Sequence, residues 1–230
     1  MSSAGPMDVS NIPKIVSEEF QKIPQSYSEA KAISQKIDDL LGFRCASIEE
    51  NLFEKHKDSL FSTERQFWYG LELQSMQTPY SELMHMRSVL QPQPGQMWLD
   101  LGAAYGRMGI VLGFLEPEVR FLGYEFVKER VDEGNRVYSL WNIKNAELQS
   151  QDLADPHFVL PWAHVYFLYD FGSRADIYIV LEKMRIQAQK GSIQVIARGR
   201  GVRNWIMMDF PWLYDIHPPQ HFTQWTIFKS

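Results

Sequence analysis

Cysteine is nearly absent from the 230-residue sequence, which has Cys45 alone, so no disulfide can form within the chain. No apolar run approaches the roughly 18 residues that a membrane span requires. The sequence also lacks the charged and then apolar segment that begins secreted proteins. A composition of this kind is typical of a reducing compartment. We therefore expect a cytoplasmic protein with no membrane partner.

Basic residues are in the minority, because 23 Lys and Arg stand against 28 Asp and Glu, for a formal net charge of −5. An acidic chain has no long-range attraction for phosphate backbones, so a nucleic-acid partner is not expected. The one cluster of arginines, Arg198, Arg200 and Arg203, is assigned to a solvated loop. No metal site is predicted, because the histidines lack the spacing typical of metal ligands: they are His56, His85, His157, His164, His217 and His221.

The first part of the chain reads as a set of helices. Residues 1–25 carry Ser, Pro and Gln, and the chain is expected to begin disordered. Apolar residues at helical spacing and turn signals then predict helices over 27–41, over 48–57, from near residue 62, and over 81–90. Pro92 and Pro94 end this part.

Beyond Gly95 short apolar runs alternate with helical patterns. Strands are expected at 97–101, 121–125, 147–152, 164–170 and 192–197, helices at 107–115, 127–141 and 175–189, and a closing pair of strands at 212–216 and 223–228, one of which could run antiparallel. The alternation predicts an α/β fold with a Rossmann-like, seven-stranded, mostly parallel sheet and helices on both faces. We expect residues 1–90 to form an N-terminal helical cap and approach segment, and residues 91–230 the α/β domain.

The segment from Trp98 to Gly109 is a strand that runs into a turn of small residues and then a helix. A ligand can lie across such a turn, because no large side chain blocks it and the N–H groups of the helix N-terminus are available as donors. Ligands of open α/β sheets lie at the carboxyl ends of the strands, where this turn is expected. Ala104 and Arg107 stand where the dinucleotide fingerprint needs glycine, which disfavours an NAD enzyme.

Acidic residues follow successive strands of the predicted sheet. Glu125 closes the second strand, where a carboxylate can accept hydrogen bonds from both hydroxyls of a ribose. Asp152 ends the third strand and could accept from the amine of an adenine, and Asp170 ends the fourth. Each alone is ordinary for an exposed strand end. Together, behind the glycine turn, they predict a cofactor site on one edge of the sheet.

Residues 95–230 resemble the class I, Rossmann-like S-adenosylmethionine-dependent methyltransferases. The first motif of that family, D/E-x-G-x-G-x-G, is matched by Asp100, Gly102 and Gly106, while Ala104 replaces the middle glycine and fits there if its φ is negative. The resemblance implies S-adenosylmethionine as the cofactor. It implies that these four residues hold the methionine part, that Glu125 binds the ribose, and that the third-strand acid, Asp152, binds the adenine.

A narrower resemblance is to the lysine methyltransferases without a SET domain, the disruptor-of-telomeric-silencing family. It rests on the preceding helices, on the segment Thr-Pro-Tyr-Ser-Glu-Leu at 78–83, and on residues 165–171, where Tyr169-Asp170-Phe171 stands in place of the Asn-Asn-Phe of the family. The resemblance implies that the approach segment, with Glu82, lies over the cofactor. It places Tyr169 and Asp170 beside the methyl acceptor as the catalytic candidates.

The sequence therefore predicts a methyltransferase, with a protein lysine or another amine as one candidate acceptor. An amine must react uncharged, which an aromatic channel promotes, and the candidate walls are Tyr80, Tyr169, Phe171 and Trp205. Two alternatives stay open. One is a methyltransferase for small molecules, and the other is a non-catalytic binding or scaffold protein that keeps the fold. The sequence identifies neither the acceptor nor the oligomeric state.

Overall fold

A computed structural model of the protein describes residues 14–57 and 72–230. Its helices are α1 (Lys14–Phe20), α2 (Tyr27–Leu41), α3 (Cys45–His56), α4 (Leu73–Met76), α5 (Tyr80–Leu90), α6 (Arg107–Leu115), α7 (Lys128–Leu140), α8 (Arg174–Ala188) and α9 (Arg200–Asp209). Its strands are β1 (Met97–Leu101), β2 (Arg120–Glu125), β3 (Ala146–Ser150), β4 (Val165–Tyr169), β5 (Gln194–Arg198), β6 (Gln220–His221) and β7 (Trp225–Lys229). Helices precede the first strand, and strands and helices alternate after it.

The strands form one seven-stranded sheet in the order β3-β2-β1-β4-β5-β7-β6. The neighbours from β3 to β5 are parallel, whereas β7 pairs antiparallel with both β5 and β6. The strand order reverses between β1 and β4, and in open α/β sheets ligands bind in the crevice at that point. The predicted mostly parallel, seven-stranded sheet is confirmed, with one strand of the closing pair antiparallel.

The sheet buries an apolar cluster on each face. Along β1, Trp98 belongs to the cluster that contains α6 and α7, whereas Leu99 and Leu101 belong to the cluster that contains α8 and α9. Successive side chains of a strand point to opposite faces, which explains this alternation. The prediction of helices on both faces is therefore confirmed.

The N-terminal helices share the core of the sheet. Ile37 and Leu41 of α2 and Tyr80 and Met86 of α5 lie in the same buried cluster as Met108 of α6. The described part of residues 14–90 thus covers the helices on one face of the sheet. The division of the chain at residue 90 stays a prediction.

Local signals set the bounds of the best-predicted helix. Ser26 accepts a hydrogen bond from the backbone N–H of Glu29 as the N-cap of α2, and Gly42 ends the helix with a φ of 78°. A serine N-cap and a C-terminal glycine are both common at helix ends. The hydroxyl pairs with a free N–H, and glycine adopts the left-handed conformation without strain. Among the described helices, none has the length and apolar character needed to cross a membrane.

The C-terminal part differs from two predictions. Residues 212–216 are not a strand, because Pro211–Leu213 forms a 3₁₀ helix, and Gln220–His221 pairs with β7 instead. Proline has a fixed φ and no N–H to give a neighbouring strand. The arginine cluster is not a solvated loop either, since Arg198 is buried at the end of β5 and Arg200–Asp209 forms α9.

Three further predictions concern the N-terminal segment, the helix from near residue 62 and the end of β3. Parts of the first two fall outside the described residues. The helix expected from residue 62 lies mostly in 58–71, outside the described ranges, and Leu73–Met76 is a single turn. Residues 1–13 also lie outside, while Lys14–Phe20 is helical rather than disordered. Strand β3 ends at Ser150, so Asp152 lies in the loop that follows.

Candidate functional site

The turn after β1 is held against β2 by its backbone. The N–H groups of Gly102 and Ala103 both donate to the carbonyl of Tyr124 at 2.9 Å. Gly102 has a φ of 90°, and a Cβ at this position would overlap with the Cβ of Phe171. Only glycine satisfies both conditions, so the turn requires Gly102 on conformational and steric grounds.

Ala104 adopts a left-handed backbone conformation, with a φ of 48°. The negative φ on which the fit of alanine to the first motif was conditional is therefore not found. In this conformation its N–H donates to Oε2 of Glu125 at 3.0 Å. The hydrogen bond ties the turn to the end of β2, although an L-residue loses about 1–2 kcal/mol in this region of φ/ψ space.

Replacing Ala104 by glycine is therefore expected to stabilise the protein by about 0.5 kcal/mol, because the relief of strain exceeds the added entropy of the unfolded chain. Urea unfolding of the two proteins measures the difference. Ala103→Gly is the matched control, since Ala103 is not among the residues of positive φ, and that change should destabilise. A loss of stability in Ala104→Gly would contradict the assigned conformation.

A cavity of about 290 Å³ opens in front of this turn, between the ends of β2 and β4. A void of about 20 Å³ adjoins it behind Gly102 and Ala104. Of the predicted site residues, six line the larger cavity: Gly102, Ala104, Glu125, Asp152, Tyr169 and Asp170. Asp100 lines the smaller void. The strand ends thus bring most of the predicted residues together at one place.

Glu125 is buried at the end of β2 with both carboxylate oxygens engaged. Oε2 accepts from the N–H of Ala104 at 3.0 Å and Oε1 from the N–H of Val127 at 2.9 Å. The guanidinium of Arg130 lies 3.6 Å from Oε1. Each carboxylate oxygen can accept a second hydrogen bond, so Glu125 both holds the turn and can bind a hydroxyl in the cavity.

The far end of the cavity combines a carboxylate with apolar surface. Asp152 is half-buried, and its Oδ1 accepts from the N–H of Ala154 at 3.0 Å. Phe126 and Leu153 line the cavity beside it, and Phe126 is 45% exposed. These two apolar residues were not predicted from the sequence, although each directly adjoins a predicted acid. An aromatic ring next to a hydrogen-bond acceptor suits a flat, polar-edged ring system.

Asp100 lies in the central strand β1, between Gly123 of β2 and Phe167 of β4. It is buried, and burial, followed by the nearby charge of Glu125, raises its pKa well above the usual range of an aspartate. A cation beside it would favour the charged form again. Asp100 is therefore suited to accept hydrogen bonds from a positively charged group.

Because the pKa of Asp100 is raised in the folded protein, ionisation of its carboxyl group destabilises the fold. The folded protein holds this proton more tightly than the unfolded chain does, so stability from Asp100 is present at low pH and is lost as the pH rises through the folded pKa. We expect Asp100→Asn to differ little from wild type near about pH 4 and to be the more stable protein near about pH 8. Urea unfolding at the two pH values measures the difference in the free energy of unfolding between the two proteins. A difference that is the same at both pH values would contradict the expectation.

Asp170 has a defined structural partner. Its Oδ1 accepts from the N–H of Val202 at 2.8 Å, and its Oδ2 from the N–H of Gly201 at 3.3 Å, both in the first turn of α9. A carboxylate is favourable there, because the free N–H groups and the helix dipole stabilise negative charge. Asp170 thus joins β4 to α9 while it lines the cavity, and its catalytic role stays a prediction.

Tyr169 lines both the cavity and the smaller void. The guanidinium of Arg198 lies 4.3 Å from the centre of its ring, and its hydroxyl donates to the carbonyl of Ser75 at 3.4 Å. Arg198 is in turn held by Glu82, with Nε to Oε2 at 2.8 Å and Nη2 to Oε1 at 3.2 Å. The predicted Glu82 therefore lies behind Tyr169, in an ion pair, and not among the described residues that line the cavity.

Three other predicted residues lie in the core or on a neighbouring helix. Gly106 is the N-cap of α6, and its carbonyl accepts from the hydroxyl of Tyr138 at 2.6 Å. Tyr80 is buried, with its hydroxyl donating to Asp38 at 3.0 Å, and Trp205 on α9 packs against Tyr178. Of the four predicted aromatic walls, Tyr169 and Phe171 face the cavity.

The segment between α4 and α5 completes the site from outside the sheet. Ser75 and Met76 line the larger cavity, and Met76, Gln77 and Thr78 line the smaller void. Of the predicted approach segment 78–83, Thr78 and Leu83 line the smaller void, while Ser75, Met76 and Gln77 precede that segment. Turn signals around Pro79 could not show which residues reach the cavities.

Within the described ranges, no group of three or more His, Cys, Asp and Glu side chains is arranged to hold a metal ion. Comparison with protein-family models finds no match, and comparison with curated proteins finds none either.

Comparison with solved structures finds distant likenesses. TrmN from Thermus thermophilus is 13% identical with a TM-score of 0.47, over 67% of this chain and 48% of that chain. A SAM-dependent O-methyltransferase from Thermotoga maritima is 16% identical with a TM-score of 0.48, over 64% and 63%. An RNA methyltransferase from Salinibacter ruber, in complex with S-adenosyl-L-homocysteine, is 17% identical with a TM-score of 0.47, over 66% and 91%.

The chain spans about half the length of the first two structures that it matches, at 50% and 48%. The TM-scores of the three structures described are all below 0.5, so the function is inferred from the cavity itself.

Proposed function

We propose that the protein is an S-adenosylmethionine-dependent methyltransferase. The observation that supports this most directly is the position of three carboxylates around the glycine turn: Glu125 and Asp152 line the main cavity, and Asp100 lines the smaller void that adjoins it. Asp100 lies on the methionine side of the proposed ligand, Glu125 in the middle and Asp152 at the far end. Their order follows that of the neighbouring strands β1, β2 and β3, and it matches the order of acceptors that an adenosine joined to an amino acid needs.

The charges of the cavity suit this cofactor better than a dinucleotide. Among the described residues that line it, four are acids and Arg130 is the basic one; the acids are Glu125, Asp152, Asp170 and Asp176. The diphosphate of a dinucleotide would be repelled by this net negative charge, whereas the sulfonium of S-adenosylmethionine would be attracted to it. A volume of about 290 Å³ is near the lower end of ordinary ligand pockets, which is consistent with one nucleoside and a short chain.

When bound, the cofactor supplies an activated methyl group, so the protein needs to align an acceptor and exclude water. Gly102 lines the cavity without a side chain, and Glu125 fixes the turn on which the ligand would lie. Tyr169 is held in place by the buried Arg198. Phe171 and Tyr169 provide apolar walls at the end of β4.

For the acceptor we propose an amine, with a protein lysine as one candidate. The acids Asp170 and Asp176 at the end of β4 and the start of α8 support a cationic or neutral acceptor over a phosphorylated one. A non-catalytic binding protein is the second candidate. It is favoured by the two hydrogen bonds that Asp170 already accepts from α9.

Transfer of a radiolabelled methyl group from S-adenosylmethionine to fractions of a cell lysate separates the two candidates. A methyltransferase should label one fraction, and S-adenosylhomocysteine should suppress the label. Separate protein, RNA and small-molecule fractions then identify the class of acceptor. Cofactor binding without transfer to any fraction would favour the scaffold, and label confined to RNA would overturn the amine acceptor.

A further inference from the structure

Arg130 connects the cavity to a helix outside the sheet. It is a buried residue near the start of α7, and it lines the cavity together with Glu125. Its Nη1 lies 3.6 Å from Oε1 of Glu125. Its Nε donates to Oε1 of Glu49 at 2.8 Å, and its Nη2 donates to Oε2 of Glu49 at 3.0 Å. One guanidinium therefore contacts the carboxylate proposed to bind the ribose and also a carboxylate of α3.

Glu49 of α3 is placed to fix that guanidinium. Two parallel hydrogen bonds between an arginine and a carboxylate restrict both the position and the orientation of the guanidinium. The carboxylate of Glu49 is itself held, because Oε1 accepts from the hydroxyl of the buried Tyr105 at 2.7 Å. Glu49 is not among the described residues that line either cavity. Any effect of Glu49 on a bound ligand must therefore pass through other side chains.

A second ion pair joins α3 to α7 without reaching the cavity. Nη2 of Arg44, the N-cap of α3, lies 2.8 Å from Oε2 of Glu133 on α7. Neither of these two residues is among the described residues that line the cavities. The pair of Glu49 and Arg130 thus differs from the other pair in its contact with the cavity, and not in the two helices that it joins.

We propose that Glu49 is a positioning residue for cofactor binding, which acts by holding Arg130 against Glu125. The proposal rests on the proposed function, because it takes the ligand of Glu125 to be the ribose of S-adenosylmethionine. The guanidinium attracts the carboxylate of Glu125, and Glu49 fixes the point from which it does so. Supporting contacts of this kind hold a binding side chain within about 0.5 Å of its productive position. Helix α3 thus supports the cofactor site without touching the ligand.

Calorimetric titration of S-adenosylhomocysteine and of its 2′,3′-dideoxyribose analogue into wild type and Glu49→Gln tests the proposal. Glutamine keeps the size of the side chain but loses the charge that holds the guanidinium. Binding of S-adenosylhomocysteine should weaken about five- to thirtyfold, whereas binding of the analogue, which has no hydroxyl for Glu125, should change by less than about twofold. Glu49→Asp keeps the charge but is too short to hold Arg130 in the same place. It carries the same expectation should Glu49→Gln fail to fold.

A double variant tests whether Glu49 acts through Arg130. Arg130→Met removes the guanidinium and should weaken binding of S-adenosylhomocysteine at least as much as Glu49→Gln does. Adding Glu49→Gln to Arg130→Met should then change the affinity by less than about twofold, because the effects of two residues that act as one unit are not additive. If the two losses of affinity multiplied, Glu49 would act on the ligand through other contacts, and the proposal would be overturned.

Arg44→Met is the matched control, because it breaks the other ion pair between α3 and α7 while Glu133 keeps its ion pair with Arg136. It should leave both affinities unchanged within about twofold. A loss of affinity in Arg44→Met as large as that in Glu49→Gln would overturn the proposal. Equal weakening of both ligands by Glu49→Gln, or weakening of neither, would overturn it as well. Failure of the wild type to bind S-adenosylhomocysteine would instead overturn the proposed function itself.

Discussion

Replacing Asp38 by alanine is expected to remove about 3 to 5 kcal/mol from the free energy of unfolding, because it leaves the buried guanidinium of Arg107 without its counter-charge. Arg107 begins α6, directly after the glycine turn, and both side chains are 3% exposed. Nε and Nη2 of Arg107 both donate to the carboxylate of Asp38 on α2. For a chain of this size the melting temperature should fall by roughly 6–20 °C.

Two controls separate this effect from a general sensitivity of the N-terminal helices. The double variant Asp38→Leu with Arg107→Met replaces the pair by apolar side chains and should be more stable than Asp38→Ala. Asp132→Ala removes the acid of an exposed pair with Lys128, and it should change stability little. If Asp38→Ala cost no more than Asp132→Ala, the helices before the sheet would not be anchored to the glycine turn in the way described.

Substituting Glu125 by glutamine is expected to weaken binding of S-adenosylmethionine by roughly tenfold to a hundredfold. The carboxylate loses its charge, and the new amide group cannot accept from the N–H groups of Ala104 and Val127 as both oxygens now do. Hydrogen bonds to charged groups contribute about 1.5 to 3 kcal/mol each. Because the same oxygens hold the turn, a loss of stability of about 1 to 3 kcal/mol should accompany the loss of affinity.

Calorimetric titration and urea unfolding of the same preparations measure the two effects separately. Glu147→Gln is the matched control, because Glu147 is an exposed carboxylate on the neighbouring strand β3, and it should change neither. An unchanged affinity in Glu125→Gln would remove Glu125 from the ligand site and leave it as a residue that holds the turn.

The sheet and its ligand edge could be predicted from local sequence. Short apolar runs mark the inner strands β1, β4 and β5, because these strands are buried on both faces. The bounds of β1 and α6 match the predicted 97–101 and 107–115. Glycine at 102 and acids at strand ends are likewise local signals. Since parallel strands end at the same edge, the acids Glu125 and Asp152 meet at one cavity.

Contacts between distant segments could not be predicted in this way. Arg107 and Asp38 are 69 residues apart, and Arg198 and Glu82 are 116 apart. Neither pair has a spacing that a sequence pattern reveals, because both depend on how the N-terminal helices pack on the sheet. The same packing brings Gln77 to the void behind the turn. Helix α9 was missed because Gly199 and Gly201 indicate a turn, although Gly199, with a φ of 93°, is the N-cap of the helix.

The backbone of Ala104 shows a further limit. Alanine usually adopts a negative φ, and its fit to the first motif was expected only on that condition. The hydrogen bond to Glu125 instead holds it at a φ of 48°. A residue type alone does not reveal strain that tertiary contacts impose.

The most direct test of the proposed function is calorimetric titration of the wild-type protein with S-adenosylmethionine, S-adenosylhomocysteine and NAD at high micromolar concentration. The cavity predicts measurable heat with S-adenosylmethionine and with S-adenosylhomocysteine, and none with NAD. The melting temperature should rise with the first two only, because a ligand that binds the native state stabilises it. Absence of heat with both S-adenosylmethionine and S-adenosylhomocysteine, or stronger binding of NAD, would contradict the proposal that this cavity binds the methyl cofactor.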